Sequence, residues 1–121
     1  MDIERLAERF DLIPVCPEIY GGLPTPRVPS ERVGDRVVMK DGTDVTENFI
    51  RGMEHTYDIA IATGAKLALL KARSPSCGKG EIYDGSFSGT LTERDGYTTE
   101  HLLSRGITVF TEAELDELFN L

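Results

Sequence analysis

The sequence predicts a single-domain α/β fold, a three-layer sandwich around a small, mostly parallel sheet of the Rossmann-like kind. Three observations predict it. The apolar runs Leu12–Val15, Leu67–Leu70 and Ile107–Phe110 are each the length of a buried strand. The stretches between them carry helical periodicity, and strands separated by helices pair in parallel through right-handed crossovers. The first two runs each empty into a Gly/Pro-rich loop holding a cysteine, and ligands of such sheets sit beyond the carboxyl ends of the strands. A length of 121 residues bounds one compact domain with a modest core.

In order, Ile3, Leu6, Ala7 and Phe10 fall at helical spacing and predict a short amphipathic helix before the Leu12–Val15 strand. Pro14 lacks an N–H and is awkward in a fully paired central strand. Residues 17–32 hold Pro17, Pro24, Pro26 and Pro29, which predict an extended, rigid loop. Asp41-Gly42, after Arg36–Met39, signals a small hairpin or a strand-to-loop reversal. Asp44 and Glu47 form a candidate capping box. Val45, Phe49, Met53, Tyr57 and Ile61 recur every four residues as one helical face, ending at Gly64. Leu67–Leu70 follows, then the long loop Lys71–Gly89. Thr98 or Thr99 can cap a short helix carrying Leu102 and Leu103 that closes at Gly106. After Ile107–Phe110, Thr111 and Glu114 form a second capping box for a last helix packing Leu115, Leu118 and Phe119.

The formal charge of −8 argues against nucleic acid as a partner, because phosphate binding needs clustered Lys and Arg. No apolar run approaches the roughly 18 residues that span a membrane, and no signal peptide is evident. The expectation is a cytoplasmic protein, where two distant cysteines are free thiols and not a disulfide.

Cys16 and Cys77 are soft thiolate ligands suited to iron–sulfur clusters or zinc, or else small buried hydrophobes, since no C-x-x-C spacing accompanies them. Glu18, two residues past Cys16, is the candidate for general acid/base work, or a partner for Arg27. Ser74 and Ser76 flank Pro75 just before Cys77 and can either bind substrate or cap a turn. Arg27 ends the proline-fixed loop, where guanidinium donors suit a polar heterocycle or an anion. Asp84 lies in Tyr-Asp-Gly, a turn signal as well as a candidate polar contact. Lys71 and Arg73 leave a strand end and can attract a small anion. His55 and His101 fall in predicted helices, away from the cysteine loops, so a Cys–His or Ser–His–Asp hydrolase ranks low.

Several motifs occur in one order: Cys16-Pro17-Glu18, Gly22-Leu23-Pro24-Thr25-Pro26-Arg27, Asp41-Gly42-x-Asp44-Val45-Thr46, Ser74-Pro75-Ser76-Cys77-Gly78, and Ile82-Tyr83-Asp84-Gly85-x-Phe87-Ser88-Gly89. Together they closely resemble the DUF523 family, which includes thiouracil desulfurases carrying an iron–sulfur cluster. The resemblance implies Cys16 and Cys77 as ligands of a 4Fe-4S cluster, with an open iron for sulfur. Beside such a cluster, the residues themselves point to Glu18 and Ser76 as candidate catalytic groups, and to Arg27, Ser74 and Asp84 as candidate contacts to a small-molecule substrate. The expected reaction is non-redox desulfuration of a thiolated pyrimidine-like molecule. The alternative is a non-catalytic ligand-binding or interaction domain without the cluster. Family members usually begin with a further strand ending in Ser-Ala-Cys-Leu-Leu-Gly, whose cysteine is a third ligand, so this chain looks like an N-terminally truncated member. A sheet lacking a central strand has open edges, and self-association into a homo-oligomer is the expectation that follows.

Overall fold

The computed structural model describes residues 3–121. The elements are α1 (Ile3–Arg9), α2 (Pro17–Tyr20), β1 (Ser30–Val33), β2 (Arg36–Met39), α3 (Thr46–Thr63), β3 (Leu67–Leu70), β4 (Ile82–Tyr83), β5 (Leu91–Thr92), α4 (Tyr97–Ser104), β6 (Thr108–Thr111), a 3-10 turn (Glu112–Glu114) and α5 (Leu115–Phe119). β3 and β6 pair in parallel, with Leu67 opposite Thr108 and Leu70 opposite Thr111. Their side chains alternate between two helical layers, as the strand period of two requires. Leu70 and Val109, with the partly buried Ala68, pack with Leu102 of α4 and with Tyr57 and Ala60 of α3. Phe110 and the partly buried Leu69 turn the other way, against Leu6 of α1 and Leu118 of α5. The result is the three-layer α/β arrangement. No helix among the described residues is long and apolar enough to cross a membrane.

Two antiparallel ribbons extend this centre. β1 and β2 form a hairpin, Ser30 opposite Met39, which closes at Gly34-Asp35 and not at Asp41-Gly42. Asp41-Gly42 instead reverses the chain from β2 toward α3. Met39 N–H donates to the Thr43 carbonyl at 2.8 Å and Gly42 N–H to the Met39 carbonyl at 2.9 Å. The hairpin packs Val37 and the preceding Leu23 on Val45 and Phe49. β4 and β5 form a two-residue ladder inside the long loop after β3.

The Leu12–Val15 strand does not form. The segment has no ladder partner among the described residues, and Leu12 and Ile13 are both 44% exposed. An apolar run becomes a strand only when a neighbour supplies its hydrogen bonds, and Pro14 removes one donor in any case. The proline-rich loop also differs in its detail. Pro17 starts a single helical turn, α2, and pairing resumes at Ser30. α3 ends at Gly64 with φ +72, closed by the Ala65 N–H to the Ala60 carbonyl at 2.9 Å. Its buried face is Thr46, Phe49, Gly52 and Thr56, and Ile61 is 62% exposed. A strict spacing of four advances about 40° per step around an α-helix, so the expected stripe drifts into solvent.

The three expected helix caps turn out differently. Thr111 and Glu114 form the reciprocal capping box, at the head of the 3-10 turn that leads into α5. Asp44 accepts from Thr46 N–H at 2.9 Å without Glu47 reciprocating, and Val45 occupies the N-cap position. α4 is capped by neither Thr98 nor Thr99. Its N-cap is Gly96, and both threonines are wholly buried in its first turn.

Candidate functional site

The loop after β3 is stitched to the start of α4, and that stitching places Cys77. Gly78 N–H donates to the Ser74 carbonyl at 2.9 Å, closing a tight turn over Pro75 to Cys77. The carbonyls of this turn then receive the first N–H groups of α4, which a helix leaves without internal partners. Gly96 N–H reaches Gly78 O at 2.8 Å, Tyr97 reaches Pro75 O at 2.9 Å, and Thr98 and Thr99 reach Ser76 O at 2.8 and 3.2 Å. Thr99 Oγ1 donates to Cys77 O at 2.7 Å, and the Ser76 and Thr98 hydroxyls share a bond at 2.7 Å. The loop thus acts as the cap that no side chain of α4 provides. Only glycine fits at 96, because a Cβ there would lie 2.5 Å from the Ser76 carbonyl carbon and oxygen.

Cys16 comes from the other side. It is extended (φ −139, ψ 93) at the N-cap of α2. α2 is pressed on α3 through two glycines. A Cβ at Gly52 would lie 2.0 Å from the Pro17 carbonyl oxygen, and one at Gly21 would lie 2.0 Å from that of Asn48. Asn48 Nδ2 donates to Gly21 O at 2.8 Å and fixes the register of this contact. α3 therefore sets where Cys16 and Glu18 stand, while α4 sets where Cys77 stands.

Glu18, from the first half, and Ser74 and Pro75, from the second, line one depression. Burial pushes the Cys77 thiol up to about 11; the Ser76 and Ser74 hydroxyls act against that shift, and the nearby Glu18 and Cys16 charges reinforce it. Cys16 is half-buried, Cys77 buried, and both are free thiols. Ser74 Oγ accepts the Cys77 N–H at 2.7 Å. Ser76 is 1% exposed and engaged by Thr98.

Arg27 donates from Nε to Glu18 Oε2 at 2.6 Å, with both side chains about one-fifth exposed. Its Nη1 is committed to Pro24 O and Thr25 Oγ1, each at 3.0 Å. Asp84 stands in its own turn, accepting from Ser86 N–H at 2.9 Å and Ser86 Oγ at 2.5 Å, and these bonds hold its carboxyl below the usual range. Beside Glu18 and Ser74 opens a shallow depression of about 1000 Å³, whose wall includes Lys71, Arg73, Lys79 and Tyr83. Lys79 pairs with Glu114 at 2.9 Å and Arg73 with Glu81 at 3.4 Å.

Two features of the site went unread in the sequence. Glu31, nearly buried, accepts the N–H groups of Gly85 and Phe87 at 3.0 and 3.1 Å and holds Phe87 at φ +56. It lies on β1, at the end of a proline-rich stretch that predicts loop, so nothing local marks it. Thr98 and Thr99 carry a polar signal, but in sequence it points to capping and not to the cysteine loop.

The donor chemistry fits two thiolate ligands of an iron–sulfur cluster, Cys16 and Cys77, with soft sulfur suited to iron. Among the described residues no group of three or more His, Cys, Asp or Glu is placed to hold a metal ion.

Comparison with known proteins places the chain in a family. The model of the 2-thiouracil desulfurase family matches residues 1–114. The uncharacterized protein YbbK of Bacillus subtilis (strain 168) is 36% identical over 126 residues, covering 96% of this chain and 83% of the relative. The solved structure of a 4Fe-4S-dependent thiouracil desulfidase, TudS, superposes with a TM-score of 0.91 at 46% identity, covering 96% of this chain and 77% of that one. With a family model spanning nearly its whole length and a fold shared at 46% identity, the chain belongs to the 2-thiouracil desulfurase family (DUF523).

Proposed function

We propose that the protein removes sulfur from a thiolated pyrimidine-like molecule without net redox change, at the site between the Cys16 and Cys77 loops. The observation that supports this reading is that Glu18 of the Cys16 loop and Ser74 of the Cys77 loop line one depression, in a chain that matches the 2-thiouracil desulfurase family. Cys16 and Cys77 would hold a 4Fe-4S cluster, and that group when bound supplies a thiophilic iron for the substrate sulfur.

The chain's own residues supply the rest. Glu18 is the group placed to move a proton, either from attacking water or to the ring nitrogen, and such transfers contribute about 10²–10⁴-fold. The ion pair with Arg27 fixes the direction of its carboxylate. Ser74 and Ser76 set the Cys77 turn and present hydroxyls toward its sulfur. Asp84, in its own turn after β4, is the remaining candidate contact and does not line the depression. The buried flank at Thr98 and Thr99 keeps water from the back of Cys77.

The test is anaerobic incubation with 2-thiouracil, following uracil and sulfide together. Equal release of both is the expected result. Glu18→Gln is expected to keep the visible absorbance of the cluster and lose at least about 10²-fold in turnover. Unchanged turnover in that variant would remove Glu18 from the chemistry. The competing reading, a ligand-binding domain without a cluster, draws on the two-thiol donor set; a colourless protein that binds thiouracil unchanged would establish it.

A further inference from the structure

Carboxylates line the depression beside the cysteine loops: Glu18, Glu31, Glu81, Glu93, Glu112 and Glu114. Glu31 is the one among them that is nine-tenths buried. Its company also differs. Glu18, Glu81 and Glu114 each pair with a cation, and Glu112 accepts the Ala72 N–H at 2.8 Å. Arg32, the next residue on β1, turns to the opposite face of the ribbon, as alternation along a strand requires, and meets Glu100 there at 3.1 Å. Glu31 is thus left without a cationic partner among the described residues.

The protein holds this carboxylate by one oxygen. Oε1 accepts the N–H groups of both Gly85 and Phe87, at 3.0 and 3.1 Å, while Oε2 accepts none from the described residues. Every fully buried side-chain oxygen or nitrogen among those residues has a partner, so Oε2 is not sealed in the core; it opens to the depression that Glu31 lines. The loop that carries the two amides is pressed onto β1. A Cβ at Gly85 would lie 2.4 Å from Val33 Cγ2 and 3.1 Å from the Arg32 carbonyl oxygen. Turning Oε2 away would break both bonds to that fixed loop.

The loop by itself does not call for a charge. A glutamine oxygen would accept the same two N–H groups without the cost of burying a carboxylate. Glutamate differs at the second position, where it presents an acceptor and glutamine would present an NH2 donor. A buried acceptor with no protein donor, facing a depression, suits an N–H of a ligand, and charge-assisted bonds of that kind are among the stronger ones.

We propose that Glu31 is a substrate-contact residue that sets specificity, with Oε2 accepting a hydrogen bond from a ring N–H of the heterocycle. The ligand class is a lactam or thiolactam ring with at least one free N–H. A ring alkylated at every nitrogen is refused, because it leaves Oε2 without a donor. The assignment rests on the desulfuration reading for the kind of ring; the contact itself belongs to binding and not to the chemical step.

The experiment is equilibrium titration of the intact, anaerobically prepared chain with uracil and with 1,3-dimethyluracil, which has no ring N–H, for wild type and Glu31→Gln. Uracil is the product expected from 2-thiouracil, so binding is read without turnover. The glutamine keeps an oxygen for Gly85 and Phe87 and exchanges the acceptor toward the ring for a donor. Wild-type protein is expected to bind uracil at least about tenfold tighter than the dimethyl ring, and the variant to lose that preference while its urea midpoint stays. With 2-thiouracil the variant is expected to raise KM at least about tenfold and leave kcat little changed. Equal loss for both rings, or no preference in the wild type, would overturn the proposal. So would absence of uracil binding at millimolar concentration, or a urea midpoint that falls together with binding, since Glu31 would then only clamp the loop. The expected preference without sulfide release from 2-thiouracil would sink the desulfuration reading and leave this contact standing.

Discussion

Replacing Gly96 by alanine separates the architecture described above from a generic account of helix N-termini. Gly96 has φ −70 and ψ 165, a conformation open to any residue. On that ground alone, Gly96→Ala is expected to stabilise by about 0.4–1 kcal/mol through the unfolded chain. The structure reverses the sign. The added Cβ would meet the Ser76 carbonyl at 2.5 Å and the Cys77 nitrogen at 2.9 Å, both backbone atoms. Ordinary contact begins near 3.4 Å, so the Ser76–Cys77 backbone must retreat from the first turn of α4. The bonds that hold it there are the four N–H donations from residues 96–99. Overpacking of this kind costs about 1–3 kcal/mol, and each weakened bond adds on the order of 1 kcal/mol. The net expectation is a loss of about 2–4 kcal/mol, seen in urea as a midpoint lowered by on the order of 1–2 M. The same retreat exposes Cys77, so its alkylation in the native protein accelerates. A midpoint that is unchanged or raised would refute the claim that this loop caps α4.

Two further outcomes follow from the same loop. Thr98→Val leaves the buried Ser76 hydroxyl without its partner and is expected to cost about 1–3 kcal/mol, while adding Ser76→Ala recovers part of that loss; strict additivity in this double-mutant cycle would show that the two hydroxyls are not coupled. In the metal-free protein the Cys77 thiol titrates above its ordinary value of 9.0, at about 11, chiefly because it is buried. The neutral thiol is favoured by folding, so its contribution to stability is full below pH 9 and is lost as pH rises toward 11; unfolding measured across that window should show the decline, and Cys77→Ala should flatten it.

How far the sequence could be read depended on whether a feature is local. β3, β6 and α3 carry their own evidence in apolar runs, a four-residue recurrence and Gly64 as a stop. The capping box at Thr111 and Glu114 is likewise written in two residues and appears as expected. Leu12–Val15 has the composition of a strand but not the status of one, because pairing belongs to two segments and only one is visible in a run of letters. The expectation that the two cysteine loops share one sheet edge leaned on a Leu12–Val15 strand that does not form; what the structure shows in its place is Glu18 and Ser74 lining one depression. The roles of Gly96, Thr98 and Thr99 were not legible. They act through backbone carbonyls some twenty residues upstream, and a threonine in a first turn looks the same whether it caps its own helix or buttresses a loop. Glu31 was hidden in the same way, since it serves amides of a loop far downstream.

The central claim is that Cys16 and Cys77 belong to one metal-binding site. It is tested most directly by diffraction at the iron absorption edge from crystals of anaerobically prepared protein. The account expects one compact anomalous iron feature bonded to the sulfur atoms of both cysteines. Sulfur atoms more than about 10 Å apart, beyond the span of a single cluster, with no iron density between them, would contradict it.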